Sequence, residues 1–185
     1  VDIGLRRAIR PDRRVEHPPV GIPVTIAPMK HIWAPWRRKY IEGHGRRKGC
    51  VFCEALSQSD EEALIVARGK LAFAILNRFP YTSGHLMIVP HAHVDTIEKL
   101  DEPAWLEMFA LARRGLATLR DIYRAPAFNL GVNIGEAAGA GVAEHVHLHV
   151  IPRWAGDTNF LSVVDQVRVL PESLEETWRK LREAW

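Results

Sequence analysis

Hydrophobic and polar positions are ordered from about residue 50 onward and irregular before it. Residues 64–68 and 71–77 are short apolar runs broken by Gly69-Lys70, which predicts two strands joined as a hairpin. Pro80, Ser83 and Gly84 mark a further turn, and His85-Leu-Met-Ile-Val-Pro90 is the third strand. The period then changes. Trp105, Met108, Phe109, Ala112, Leu116, Leu119 and Tyr123 recur at three- and four-residue spacing, so Pro103 opens an amphipathic helix. Asp101 is its expected cap and Pro126 its stop. Residues 128–134 and 145–151 are two more strands around a Gly/Ala loop, and 171–185 form an amphipathic C-terminal helix. Five strands with helices inserted between groups of them predict an α+β fold with an antiparallel sheet. No internal repeat is visible.

Residues 1–28 lack either period. They hold Pro11, Pro18, Pro19, Pro23 and Pro28, five of the twelve prolines, and are expected to form a weakly ordered Pro/Arg-rich arm. Residues 29–49 set Trp33, Trp36 and Tyr40 among Arg37, Arg38, Lys39, Arg46, Arg47 and Lys48. Such a mixture can stack bases and bind phosphates; equally, the aromatics can anchor the segment while the cations stay solvated. The expected organisation is therefore the arm at 1–28, a basic/aromatic segment at 29–49, a regular domain at 50–160 and a C-terminal helical extension at 161–185.

Charge sharpens the division. The net charge is +3, but residues 1–50 carry 12 basic and 4 acidic side chains, and residues 51–185 carry 13 and 18. A protein that coats nucleic acid is disfavoured, and a basic segment on a mildly acidic body is indicated. Hydrophobic content of 47% and charged content of 25% exclude bulk disorder. No apolar run approaches the roughly 20 residues that span a bilayer. The Arg-rich start has no apolar stretch after it, so a secretory signal is not expected and a cytoplasmic location is. The two cysteines stand as Cys50-Val-Phe-Cys53, a spacing suited to metal or redox chemistry rather than a disulfide framework.

The most informative stretch is His145-Val-His147-Leu-His149-Val. In a strand the three imidazoles share one face while Val146, Leu148 and Val150 enter the core. Three such rings pack poorly, because every ring nitrogen needs a partner. Two chemistries compete. A single metal on all three is excluded for a straight strand, since i and i+4 lie roughly 13 Å apart; two neighbours could still join ligands from elsewhere. Alternatively, a neutral imidazole attacks phosphorus, provided an acceptor holds its other nitrogen. The upstream loop, Asn133-Ile-Gly135-Glu-Ala-Ala-Gly139-Ala140-Gly141, offers amides with little side-chain bulk, as a phosphate cradle requires.

These residues resemble the histidine-triad (HIT) superfamily, whose signature is three His alternating with apolar residues. Residues 76–90, with Leu76-Asn77-Arg78, Gly84-His85 and Pro90, resemble its Fhit-like diadenosine polyphosphate branch. Trp33-Ala-Pro-Trp36, Cys50-x-x-Cys53, Asn133-x-Gly135, Glu144 and Arg153-Trp154-x-Gly156-Asp157 resemble bacterial diadenosine tetraphosphate phosphorylase-type proteins. The resemblance implies a HIT-like fold with a five-stranded antiparallel sheet, a long helix and a C-terminal helix. It makes His147 the nucleophile on an α-phosphorus, His149 an assisting phosphate contact, His145 a buried orienting group and His85 a support beneath the catalytic ring. Asn77 would bind ribose, while Asn133 and the loop at Gly139, Ala140 and Gly141 would bind phosphate. Where relatives place a hydroxyl or amide near the end of this loop, the chain has Ala140, Gly141 and Val142.

The resemblance also implies structural zinc on Cys50, Cys53, His93 and His145, with His44 a competing ligand and two free thiols the plain alternative. It further implies a homodimer. Magnesium is expected only as a counter-ion of the polyphosphate substrate, since no carboxylate cluster requires a catalytic metal. The expected activity is cleavage of the α–β phosphoanhydride of a dinucleoside polyphosphate through a nucleotidyl-histidine, with phosphate or water as acceptor. The rivals are a nucleoside phosphoramidase, an adenylylsulfatase and a nucleotide-binding module without turnover.

Overall fold

A computed structural model of the chain describes residues 49–157 and 170–185. The expectations for the arm at 1–28, the segment before Gly49 and His44 fall outside the described residues. Nine regular elements are numbered here in chain order among those residues: α1 Val51–Leu56, α2 Asp60–Ala63, β1 Ile65–Arg68, β2 Ala72–Leu76, β3 Leu86–Pro90, α3 Glu102–Tyr123, β4 Ala127–Val132, β5 Leu148–Arg153 and α4 Leu174–Ala184. The strands form one sheet in the order β1-β2-β3-β5-β4, with each neighbouring pair antiparallel. The expected architecture of five antiparallel strands, one long helix and a C-terminal helix is present.

Alternation explains why both faces of this sheet are covered. Val66, Ala72, Ala74, Leu76, Leu86, Ile88, Leu148 and Val150 meet Met108, Ala112 and Leu119 of α3 and Leu181 of α4. Their neighbours in sequence, Ile65, Phe73, Ile75, Met87 and Val89, pack with Phe52 and Ala55 of α1 and Ala63 of α2. Strands β2 and β3 are thus apolar at every position, as strands buried on two faces must be.

Helix α3 begins where its cap dictates. Asp101 Oδ1 accepts from the Ala104 amide at 3.0 Å, Pro103 lies in the first turn, and the chain leaves through Arg124 in a left-handed conformation, φ 51°. Gly115 lets this helix approach β3, because a Cβ there would stand 2.7 Å from Leu86 Cδ2. Helix α4 starts three residues later than expected, since Ser173 rather than Pro171 supplies the cap to Glu176 N at 3.1 Å. It covers the outer edge of β1: Trp178 Nε1 donates to the Ile65 carbonyl at 2.8 Å and Arg182 to the Val66 carbonyl at 2.7 Å. Those carbonyls would otherwise be an open template for another strand.

Two details differ from expectation. Helices α1 and α2 were not anticipated. The last strand, expected at 145–151, runs instead from Leu148 to Arg153. Its ladder with β3 stops at Leu148↔Ile88. Farther along β3 stands Pro90, which has no amide to donate and whose carbonyl is taken by the His145 ring. Val146 N–H turns away to the Val94 carbonyl at 2.7 Å.

Candidate functional site

His149 is set by the sheet itself, paired with Met87 on β3 and Gly131 on β4. His147 and His145 precede it in the segment leading into β5, and all three rings lie on the side of α1. Phe52 of α1 touches His145 at 5.4 Å and His147 at 4.9 Å between centroids, and His147 meets His149 at 4.8 Å. The triad therefore shares one face, as its alternation predicts. All three are buried, with 0, 4 and 9% exposure for His145, His147 and His149.

Their tautomers follow from partners that can only accept or only donate. The His145 carbonyl, 2.9 Å from His147 Nδ1, can only accept, so the proton of a neutral His147 sits on Nδ1 and Nε2 keeps a lone pair. Burial holds the His147 pKa below its ordinary value, although the same carbonyl raises it. For His149 the logic runs through His85. The Tyr81 amide donates to His85 Nδ1 at 3.1 Å; His85 therefore carries its proton on Nε2 and donates to His149 Nδ1 at 2.9 Å. His149 is left with its proton on Nε2. Burial, and then the neighbouring His147, lower its pKa to about 4. One uncharged ring thus presents a lone pair and the next presents an N–H.

His145 faces the other way. Its Nε2 donates to the Pro90 carbonyl at 2.9 Å, which leaves a lone pair on Nδ1. That atom lies 3.2 Å from Cys50 Sγ, 3.7 Å from Cys53 Sγ and 3.2 Å from His93 Nδ1, and Cys53 Sγ lies 3.4 Å from His93 Nδ1. All four ligand atoms fall within 4.8 Å of one another. Zinc bonds of roughly 2.0–2.3 Å require separations close to these in a tetrahedron. A buried nitrogen whose tautomer is fixed to aim a lone pair at two thiols and a second imidazole fits a metal. Burial and the adjacent Cys50 push the Cys53 thiol pKa up; a bound cation would oppose that.

The predicted nucleotide contacts fall into two groups. Asn77 adjoins the site: its Oδ1 accepts from the Phe79 amide at 2.9 Å and its Nδ2 stands 3.4 Å from His85 Nδ1. Asn133, Gly139, Ala140 and Gly141 lie on the β4–β5 loop. There Gly135 and Gly139 adopt φ 81° and 83° around the short 3₁₀ turn Glu136–Ala138, a conformation open to glycine. The loop reaches the triad through Val142, which packs against the α1-side core and whose carbonyl accepts from His145 N at 3.5 Å. His85 makes its ring hydrogen bond to His149, the last member of the triad. The Tyr81 amide and the Pro90 carbonyl carry no sequence signal, being backbone groups. Phe52 was visible only as one of the two apolar residues between the cysteines. No described helix is long and apolar enough to cross a membrane.

Comparison with known proteins gives a consistent set. The HIT domain family model matches residues 58–156. An AP-4-A phosphorylase of Mycobacterium tuberculosis (strain ATCC 25618 / H37Rv) is 38% identical over 165 residues, 85% of each chain. A bis(5'-nucleosyl)-tetraphosphatase [asymmetrical] of Schizosaccharomyces pombe is 32% identical over 90 residues, 49% of each chain. Among solved structures, a Zn-bound histidine triad family protein from Mycobacterium smegmatis superposes with a TM-score of 0.60 at 29% identity, covering 74% of this chain and 92% of that one.

Proposed function

The chain belongs to the HIT domain family, and from that premise we propose that it is a dinucleoside polyphosphate phosphorylase acting through a nucleotidyl-His147 intermediate. The observation that carries the reading is the His147 Nδ1–H bond to the His145 carbonyl, which points the reactive lone pair out of Nε2. Nε2 attacks the α-phosphorus, the P–O bond to the bridging oxygen breaks, and a nucleoside polyphosphate leaves as an anion. The ring then carries substituents on both nitrogens, and its positive charge is held by the carbonyl at Nδ1. Inorganic phosphate next attacks the phosphorus, the P–N bond breaks, and a nucleoside diphosphate departs from regenerated His147.

His149 supplies a hydrogen bond to a phosphate oxygen where charge develops. Being neutral, it is suited to stabilise an oxyanion rather than to give up a proton. A polyphosphate leaves readily without one, whereas the amine of a phosphoramidate does not, so this geometry favours the anhydride over a phosphoramidase. Phosphate rather than water is assigned as acceptor because the 38%-identical relative is a phosphorylase.

Zinc is assigned to Cys50, Cys53, His93 and His145, where it would cross-link three segments and take no part in the transfer. Among the described residues β4 is an outer strand of the sheet, with Leu130 43% exposed, which supports a homodimer built by pairing sheets.

Diadenosine tetraphosphate incubated with phosphate should yield ADP and ATP, and without phosphate little or no product. AMP and ATP irrespective of phosphate would make the protein a hydrolase instead. His147→Gly should lower turnover by about a thousandfold or more while nucleotide binding persists; an unchanged rate would place the nucleophile elsewhere.

A further inference from the structure

Strand β4 lacks a side chain at the one position that adjoins the triad. Gly131 stands opposite His149 in the β4–β5 ladder. Phe128 and Val132 pack on the α3 side of the sheet, so Asn129 and Gly131 lie on the face of the histidine rings. A glycine inside a strand is destabilising, through backbone entropy and a missing packing partner. Two ordinary reasons for keeping one are absent here. The Gly131 backbone is not in the left-handed region, and a Cβ built on it meets nothing within 4 Å. The protein has room for a side chain at this point and carries none.

The borders of the open space define what suits it. On the β3 side of His149 stand the Met87 side chain and the His85 ring; on the β4 side stands only the hydrogen of Gly131. Beyond Gly131 on the same face, Asn129 is exposed. Its Oδ1 accepts from Arg153 Nη1 at 2.8 Å, which leaves the Nδ2 amide to donate. Arg153 is fixed in turn by Asp157, through Nε at 2.6 Å and Nη2 at 2.8 Å. These bonds occupy three of its five N–H groups. A bare floor ending in amide and guanidinium donors suits an oxygen-rich anion, whereas an apolar partner surface would bury those donors unpaired.

We propose that Gly131 selects substrates by their leaving group: the departing nucleoside polyphosphate lies across its bare backbone, toward Asn129 and Arg153. The proposal rests on nucleotidyl transfer to His147 and deepens it by naming where the leaving group goes. A polyphosphate whose α-phosphorus sits at His147 and His149 has its clear way over β4, because β3 is occupied at the same level. Any side chain at position 131 would stand perpendicular to the sheet and project into that way.

Two substrates that donate the same adenylyl group separate the leaving group from the rest. Diadenosine tetraphosphate releases ATP, and adenosine 5'-phosphofluoridate releases fluoride. Gly131→Val should lower kcat/KM for diadenosine tetraphosphate about thirtyfold or more and leave the fluoridate within about twofold. Gly131→Ala should fall between, and Asn129→Ala should act in the same direction and less. The valine protein should melt at or above the wild-type temperature, since a β-branched residue suits an open strand position, and should keep the wild-type mass in sedimentation velocity. Equal losses on both substrates, or no loss on either, would overturn the proposal. A loss accompanied by a changed mass would also overturn it, assigning the glycine to packing against a second copy. Should Gly131→Val fail to fold, Gly131→Ala decides, since its methyl group meets no protein atom. A wild-type protein that leaves diadenosine tetraphosphate intact would sink the functional reading itself. Normal wild-type turnover with a valine enzyme indifferent to the leaving group would sink the proposal alone.

Discussion

At the scale of single residues, the site is a set of protons placed by backbone groups. The His145 carbonyl sets His147, and the Tyr81 amide sets His149 through His85. A pH dependence follows. His149 has a folded pKa of about 4 against an ordinary 6.5. Above 6.5 the ring is neutral folded and unfolded, and its contribution to stability is fully present. As pH falls from 6.5 toward 4 the unfolded chain binds a proton that the folded one does not, so stability falls with pH. His145 and His147 are shifted in the same direction, with burial the leading cause for each. Urea midpoints should therefore drop from about pH 7 to about pH 4.5, and His149→Gln should flatten part of that slope. A slope untouched by the substitution would show that His149 titrates normally.

Among the elements, the two sheet edges are treated oppositely. Side chains of α4 cap the carbonyls of β1, while β4 ends the sheet with Leu130 and, just beyond it, Ile134 at 43% and 41% exposure. If β4 pairs two subunits, Leu130→Glu places a charge in that seam and should convert a dimer into a folded monomer in sedimentation velocity. An unchanged dimer mass would put the interface elsewhere. The elements also show what side-chain letters can convey. Helix α3 was legible because 22 residues give its apolar stripe many repeats and Asp101 a visible cap. Helices α1 and α2, of six and four residues, span too little of the period to show it. The triad alternation correctly put three rings on one face. It could not show that the ladder fails opposite Pro90, because the cause is an amide that proline lacks and a carbonyl any residue would own.

For the molecule as a whole, the cysteine–histidine cluster ties together parts of the chain that are remote in sequence. Cys50 and His145 are 95 residues apart and His93 and His145 are 52 apart. A metal there would stabilise the folded state by binding it and not the open chain. Metal analysis of the purified protein should give one zinc per chain, and Cys50→Ser should lose it. Its melting temperature should fall by several degrees, which a strong chelator on the wild type should reproduce. One-to-one zinc in Cys50→Ser would refute the ligand set.

His145 has no spare polar atom in this arrangement. Its Nδ1 faces the sulfurs, its Nε2 is spent on Pro90, and its carbonyl holds the His147 ring. The carbonyl survives any substitution, but the two nitrogens point from opposite sides of one flat ring. An asparagine amide imitates the near nitrogen and a glutamine amide the far one; neither spans both. Mutational tolerance should therefore be far lower at position 145 than at exposed His93, which would give a metal a single ligand atom from the surface and could exchange it for another of similar reach.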